Sequence, residues 1–262
     1  MPINSRLIAA FVILPALAGC GGGGNSSSTS MTGPWSGTYT LSSNSGSANA
    51  TTGALSSEDD GYFANNNGDV FVLSSLPGTS PFTATLTGIA PPGQTFSNGY
   101  SAVNFTVSGS YTSSGSGINM QATFTENDNQ GTLSGSFNLT SNSPYNGTST
   151  LTGLQGQWSG YYVGQAGTSI NLNFGSDGSF AGSDGYGCVL SGSLTPDAPN
   201  TNQSNLYDVA LGSSGEGCAG TVDGLAYESS KDVTGVFGGA SGTYLEIVVF
   251  GPFTAYVMEL KL

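Results

Sequence analysis

The sequence predicts an all-β chain: two small antiparallel halves, barrels or sandwiches, produced by internal duplication and placed after an export signal and a flexible linker. Three observations predict it. Apolar and polar residues alternate with a period of two in many short runs, and no segment shows a convincing helical period. Glycine supplies 42 of 262 residues, and Ser, Thr and Asn fill most other polar positions, a composition that disfavours helices. Gly33-Pro-Trp35-Ser-Gly-Thr-Tyr39 returns as Gly156-Gln-Trp158-Ser-Gly-Tyr-Tyr162, identical at five of seven positions. With 37% hydrophobic and 10% aromatic residues the chain packs a core rather than remaining disordered.

In chain order, Met1 to Arg6 is a short segment with one positive charge, and Leu7 to Ala18 is an apolar run of 12 residues. This is the form of an export signal, and the run is shorter than the roughly 20 residues needed to span a bilayer. Leu17-Ala-Gly19-Cys20 follows, then Gly21 to Ser30, GGGGNSSSTS. A flexible run of ten such residues has an r.m.s. reach of roughly 17 Å, enough to lift a domain clear of lipid headgroups.

The LAGC phrase, at this position, resembles the lipobox of bacterial prolipoproteins. That resemblance implies a signal peptide over residues 1–19, cleavage between Gly19 and Cys20, and three acyl chains on Cys20. Each buried CH₂ contributes roughly 0.8 kcal/mol, so several chains hold firmly where one would be marginal. Gly21, rather than Asp, after the cysteine implies sorting to the outer membrane, with the body in the periplasm or on the cell surface.

The body divides into residues 31–155 and 156–262, joined at Leu151 to Gln155 and preceded by the tether, residues 20–30. A second echo, Asp60-Gly-Tyr62 against Asp184-Gly-Tyr186, has nearly the same offset and supports duplication. In the first half, Asp69 to Leu73, Phe82 to Leu86, Val103 to Val107, Ile118 to Phe124 and Leu133 to Leu139 read as strands separated by Gly, Asn and Pro. In the second, Ile170, Leu172 and Phe174 alternate with Asn171 and Asn173 before an Asp177-Gly178 hairpin turn. Tyr256, Met258, Leu260 and Leu262 share one strand face. Tyr244 to Phe250 is apolar on nearly every residue, which predicts burial on both faces.

Gly33-x-Trp35 and Gly156-x-Trp158 resemble the entry motif of lipocalin-like (calycin) barrels, which implies a Trp packed across each barrel floor. The lipocalin arginine that packs over that Trp has no counterpart here, since Arg6 lies in the signal. The layout of lipobox, glycine tether and small β-barrels also resembles surface lipoproteins of the transferrin-binding protein B and factor-H-binding protein kind.

Cys188 and Cys218 remain after Cys20 is lipidated. An even pair in an exported protein predicts a disulfide, worth roughly 3.5 to 4 kcal/mol for a loop of about 30 residues. Neither cysteine has the close spacing or basic neighbour that a redox pair needs.

Charge and composition exclude several functions. Only Arg6, Lys231 and Lys261 are basic against 16 acids, a formal charge of −13; removal of Arg6 leaves two bases against 16 acids, or −14. Such a polyanion is repelled by phosphate backbones, so nucleic acid is not an expected partner. The absence of histidine removes Ser-His-Asp and Cys-His catalysis and His-ligated metal sites. Glu58, Asp59 and Asp60 offer adjacent carboxylates beside Tyr62, but neighbours on a strand point to opposite faces, and a solvated acidic turn accounts for them. Glu126-Asn-Asp128-Asn-Gln130-Gly131 has the alternating oxygens of a calcium loop but Phe137 where the bidentate Glu belongs, and a hairpin turn accounts for it.

The expectation is therefore a lipid-anchored outer-membrane protein with no catalytic residues, metal or cofactor, which acts as a binding or interaction module toward a protein or glycan. The alternatives are a structural envelope lipoprotein and a lipocalin-like carrier of a small apolar ligand. Trp35, Trp158 and the 12 tyrosines are candidates for stacking on a ligand, or for filling barrel floor and rim.

Overall fold

The structure, a computed structural model, describes residues 31–262 apart from 43–47, 57–60, 75–79, 115–116, 128–132, 142–149, 166, 198–204, 233, 235–236 and 252–253. Cys20, Gly19 and the tether lie outside the described residues, as do Glu58, Asp59, Asp60 and Asp128 to Gly131.

The fold is all-β. The first eight strands are β1 (Gly33–Leu41), β2 (Ala48–Leu55), β3 (Gly61–Asn65), β4 (Val70–Ser74), β5 (Phe82–Ile89), β6 (Ala102–Ser114), β7 (Gly117–Glu126) and β8 (Ser134–Ser141). A single helical turn, α1 (Leu151–Leu154), leads into β9 (Gly156–Tyr162), β10 (Ser169–Phe174), β11 (Ser179–Asp184), β12 (Val189–Pro196), β13 (Leu206–Ser214), β14 (Gly220–Lys231), β15 (Ser241–Gly251) and β16 (Thr254–Lys261). Each set of eight is an antiparallel meander closed into a barrel, by β1 on β8 and by β9 on β16. Closure leaves no unpaired edge, so sandwiches are excluded in favour of barrels.

The alternating pattern places one face of every strand inside. Ile170, Leu172 and Phe174 are buried while Asn171 and Asn173 are exposed, and the Asp177-Gly178 turn returns the chain so that Phe174 pairs with Phe180. The sequence reading does not identify β2 and β3, nor β11 to β14 of the second barrel. ANATTGAL carries too little apolar area to announce β2, and its Thr51, Thr52 and Ala54 are nonetheless buried.

Thr51 shares the inward face of Leu55, but the burial of Thr52 and Ala54 has a tertiary cause, because the barrels pack side by side along their outer walls. Ala64, Val70 and Ile89 of the first barrel meet Val163, Val248, Ala255 and Val257 of the second, with the Tyr62 and Phe250 rings 5.0 Å apart. Ala54 meets Leu206, Leu225 and Tyr227. This explains the nearly continuous apolar run of β15: Leu245, Ile247 and Val249 face their own barrel's core, while Val248 faces the other barrel.

The duplication is visible in matching details. Gly33 and Gly156 open β1 and β9 with φ of +122° and +133°. Trp35 and Trp158 are buried in the two cores, and each indole Nε1 donates to the carbonyl four residues earlier, Met31 at 3.0 Å and Leu154 at 2.8 Å. Gly37 and Gly160 lie where each barrel closes, so tightly that a Cβ would stand 2.0 Å from the Asn138 carbonyl oxygen or 1.9 Å from that of Glu259. The second echo is not structurally equivalent: Tyr62 lies at the start of β3, whereas Asp184 ends β11, the third strand of the other barrel. The true counterpart of Asp184 is Asn65, at the end of β3.

Candidate functional site

The Asn65 and Asp184 turns are built alike. Asn65 Oδ1 accepts from the backbone amides of Asn67 (2.8 Å) and Asp69 (3.0 Å); Asp184 Oδ1 accepts from those of Tyr186 (3.0 Å) and Cys188 (2.9 Å). Gly68 and Gly187 occupy the same turn position, with φ of +85° and +90°. Above each turn stands the tyrosine that ends the repeated phrase. Asn65 Nδ2 donates to the Tyr39 hydroxyl at 2.9 Å, while the Tyr162 hydroxyl donates to Asp184 Oδ2 at 2.8 Å.

One substitution within this shared frame changes its chemistry. In the first barrel the tyrosine meets a neutral amide, and Phe96, from the loop after β5, folds over the core 6.4 Å from the Phe71 ring. A cavity of ≈ 290 Å³ remains beside Tyr39 and Asp69. Burial first, then the charge of Asp69, push the Tyr39 phenol up to about 12, and burial also raises Asp69 above the usual carboxylate range.

In the second barrel a carboxylate stands in place of the amide, and the cavity beside it is larger. A cavity of ≈ 470 Å³ descends from a tyrosine rim to an apolar floor of Leu190, Leu211 and Val222. This lies within the range of about 300 to 1,000 Å³ typical of small-molecule sites. Tyr162 is the centre of the rim, with its ring 5.5 Å from Tyr256 and 6.1 Å from Tyr186. The Tyr186 hydroxyl donates to Gln165 Oε1 at 3.0 Å, although 61% of this residue is exposed. Glu216, on the turn joined to that of Tyr186 by Cys218, also lines the cavity, and Pro92 and Gly93 of the first barrel reach across to line it. Burial raises Tyr162 and Tyr256 above the ordinary phenol value, and the carboxylate of Asp184 raises both further.

Cys188 and Cys218 form the expected disulfide, 30 residues apart. It joins the β11–β12 turn, which carries Asp184 and Tyr186, to the β13–β14 turn, which carries Glu216. The bridge therefore fixes the rim of the cavity as well as the fold. Below the floor the barrel is filled, with Trp158 against Phe174 and Leu154 of α1 buried in the same core.

The remaining sequence candidates are structural where they are described. Glu126 accepts from Asn98 Nδ2 and the Leu133 amide, and Asn127 accepts from the Thr106 hydroxyl, so these two side chains tie loops together. Asp177 caps its own turn through Ser179, whose hydroxyl and amide hold the carboxyl below its ordinary value. Among the described residues no group of three or more Cys, Asp and Glu could hold a metal ion.

Two buried carboxylates, Glu246 and Glu259, face each other across β15 and β16. Glu246 sits between the barrels, where the Thr52 hydroxyl donates to both its oxygens at 3.1 and 3.2 Å; Glu259 accepts from the hydroxyl and amide of Thr234. Neither lines the cavities described above.

The sequence marks Asp184 and Tyr186 only as part of the second echo, and gives no site role to them or to Glu216. Their signal is proximity to the disulfide: Tyr186 and Glu216 each lie two residues before a cysteine, so the bridge must bring them to one place.

No protein-family model matches the chain, and no curated protein matches it. Among solved structures, the chain is similar to a candidate outer membrane protein of Bacteroides fragilis, at 12% identity over 88% of this chain and 97% of that one, with a TM-score of 0.29.

Proposed function

We propose that the chain is an envelope protein, held by lipid on Cys20, whose second barrel binds a small ligand or a protruding group of a partner at its mouth. The cavity of ≈ 470 Å³ carries this reading, because it joins an apolar floor to a few convergent polar groups on a rim that a disulfide fixes. The first barrel, with Phe96 folded over its core, is the rigid body against which the binding barrel is braced. The anchor rests on LAGC, the apolar run before it and the glycine tether after it.

The protein is a binder rather than an enzyme. The chain has no histidine to serve as a base, the carboxylate of Asp184 at the cavity is held by three hydrogen bonds, and the buried pair Glu246 and Glu259 lies away from both cavities.

Two measurements test the proposal. The body from Ser30 onward, immobilised and exposed to intact cells and extracts, is expected to retain a partner in the oxidised state and to release it on reduction of Cys188–Cys218; equal retention in both states refutes the role of the rim. Substitution of Cys20 by Ala is expected to leave an unacylated protein that no longer fractionates with the membrane. Unchanged fractionation refutes the anchor.

A further inference from the structure

We propose that the mouth of the second barrel selects an organic cation, an ammonium-bearing group with an apolar body. This rests on the reading of that cavity as a binding site and assigns the chemistry of what enters it.

The aromatic wall is the first argument. Tyr162, Tyr186 and Tyr256 form a continuous ring surface, with neighbouring centroids 5.5 and 6.1 Å apart and interplanar angles of 48° and 34°. Ring faces carry negative quadrupole density, and a cation within about 6 Å of such a face is attracted, the more so when partly desolvated.

Charge is the second. Asp184 lies among these rings with its carboxylate oriented by three hydrogen bonds, from the Tyr162 hydroxyl and the amides of Tyr186 and Cys188. Glu216 is exposed on the adjoining β13–β14 turn, and among the described residues no Lys or Arg lines the cavity. An anion entering here would meet two carboxylates and no positive partner, whereas a cation meets both at once. The raised phenols of Tyr162 and Tyr256 report the same resistance to added negative charge.

The third argument is shape. Leu190, Leu211 and Val222 floor the cavity and offer nothing to a fully hydrated metal ion or a polyhydroxylated chain, but accept a short hydrocarbon. The molecule also uses this chemistry internally. Near the other end of β16, the Lys261 ammonium lies 5.4 Å from the Tyr244 ring centroid and 6.0 Å from that of Phe237.

The test is calorimetric titration of residues 30–262, which include both closed barrels and their cores, with four probes: hexyltrimethylammonium, hexanol, hexanoate and glucose. The ammonium is expected to bind about tenfold or more tighter than hexanol, the factor that a partly desolvated cation–π contact supplies. Hexanoate and glucose are expected not to bind, and added salt to weaken the ammonium. Glu216→Gln, on an exposed rim position that leaves the fold undisturbed, should weaken the ammonium several-fold without changing hexanol. Tyr256→Leu keeps an apolar side chain but removes one ring face, and should reduce the preference several-fold.

Equal binding of ammonium and hexanol overturns the cation inference and leaves the binding-site reading standing. Preferential binding of glucose or hexanoate does the same. If none of the four binds while the protein is folded and oxidised, this inference fails; the partner capture described above then decides separately whether the mouth binds anything.

Discussion

Replacement of Glu246 by Gln should remove a specific pH dependence from the stability of this protein. Glu246 is fully buried between the barrels, with Tyr227 opposite it on β14, Glu259 opposite it on β16 and Thr52 approaching from β2 of the other barrel. Burial raises its carboxyl from 4.5 to about 7, against the opposing hydrogen bonds of Tyr227 and Thr52. The folded state therefore holds a proton that the unfolded state has released between those two values. Stability that is fully present below pH 4.5 is lost as the pH rises through about 7. At about 1.4 kcal/mol per pH unit, the loss is about 3.5 kcal/mol.

The assay is urea unfolding of both proteins between pH 4 and 8, with the wild-type minus variant difference taken at each pH. Glu259 and the other carboxylates remain in both, so the difference isolates Glu246 and its coupling to Glu259. Because the side chain lies in the interface, the effect should appear in whichever transition separates the barrels. A difference that stays flat within about 1 kcal/mol across the range would falsify the assignment of a protonated, interface-buried carboxyl.

Other expectations concern the closure and the rim. Gly160→Ala should prevent closure of β9 on β16 or cost several kcal/mol, since its Cβ would stand 1.9 Å from a backbone oxygen; Gly212→Ala, whose Cβ would sit 3.5 Å from its nearest neighbour, should change stability by about 1 kcal/mol or less, and equal effects in denaturant unfolding would refute the close-approach argument. Reduction of Cys188–Cys218, or its double replacement by Ala, should cost roughly 3.5 to 4 kcal/mol from loop closure, and a loss below about 1 kcal/mol would show that the rim holds itself together. Asn65→Asp should place a carboxylate beside the Tyr39 phenol, as Asp184 is beside Tyr162, and raise its titration above about 12; a spectrophotometric titration with Tyr39 unmoved would refute the equivalence of the two turns.

The sequence alone determined the all-β class, the repeated Trp phrase and most of the strands, because alternation along a half-buried strand is a local property. Ile170, Leu172 and Phe174 announce an inward face whatever lies beyond them. It also pointed to the cysteine pair, since the two thiols besides Cys20 predict one bond, and Cys188 and Cys218 form it. Only the tertiary structure decided that Thr52 and Ala54 are buried and that Thr52 meets Glu246, because that burial comes from the second barrel, with Thr52 and Glu246 194 residues apart in the chain. It also corrected the second echo. Asp60 and Asp184 share a local phrase, but equivalence between barrels is set by position along a paired strand, where Asn65 and not Asp60 answers Asp184. The mouth of the second barrel was hidden for the same reason. Tyr162, Asp184, Glu216 and Tyr256 are spread over four turns and strands, and only closure of the sheet, fixed by a covalent bridge, brings them around one cavity.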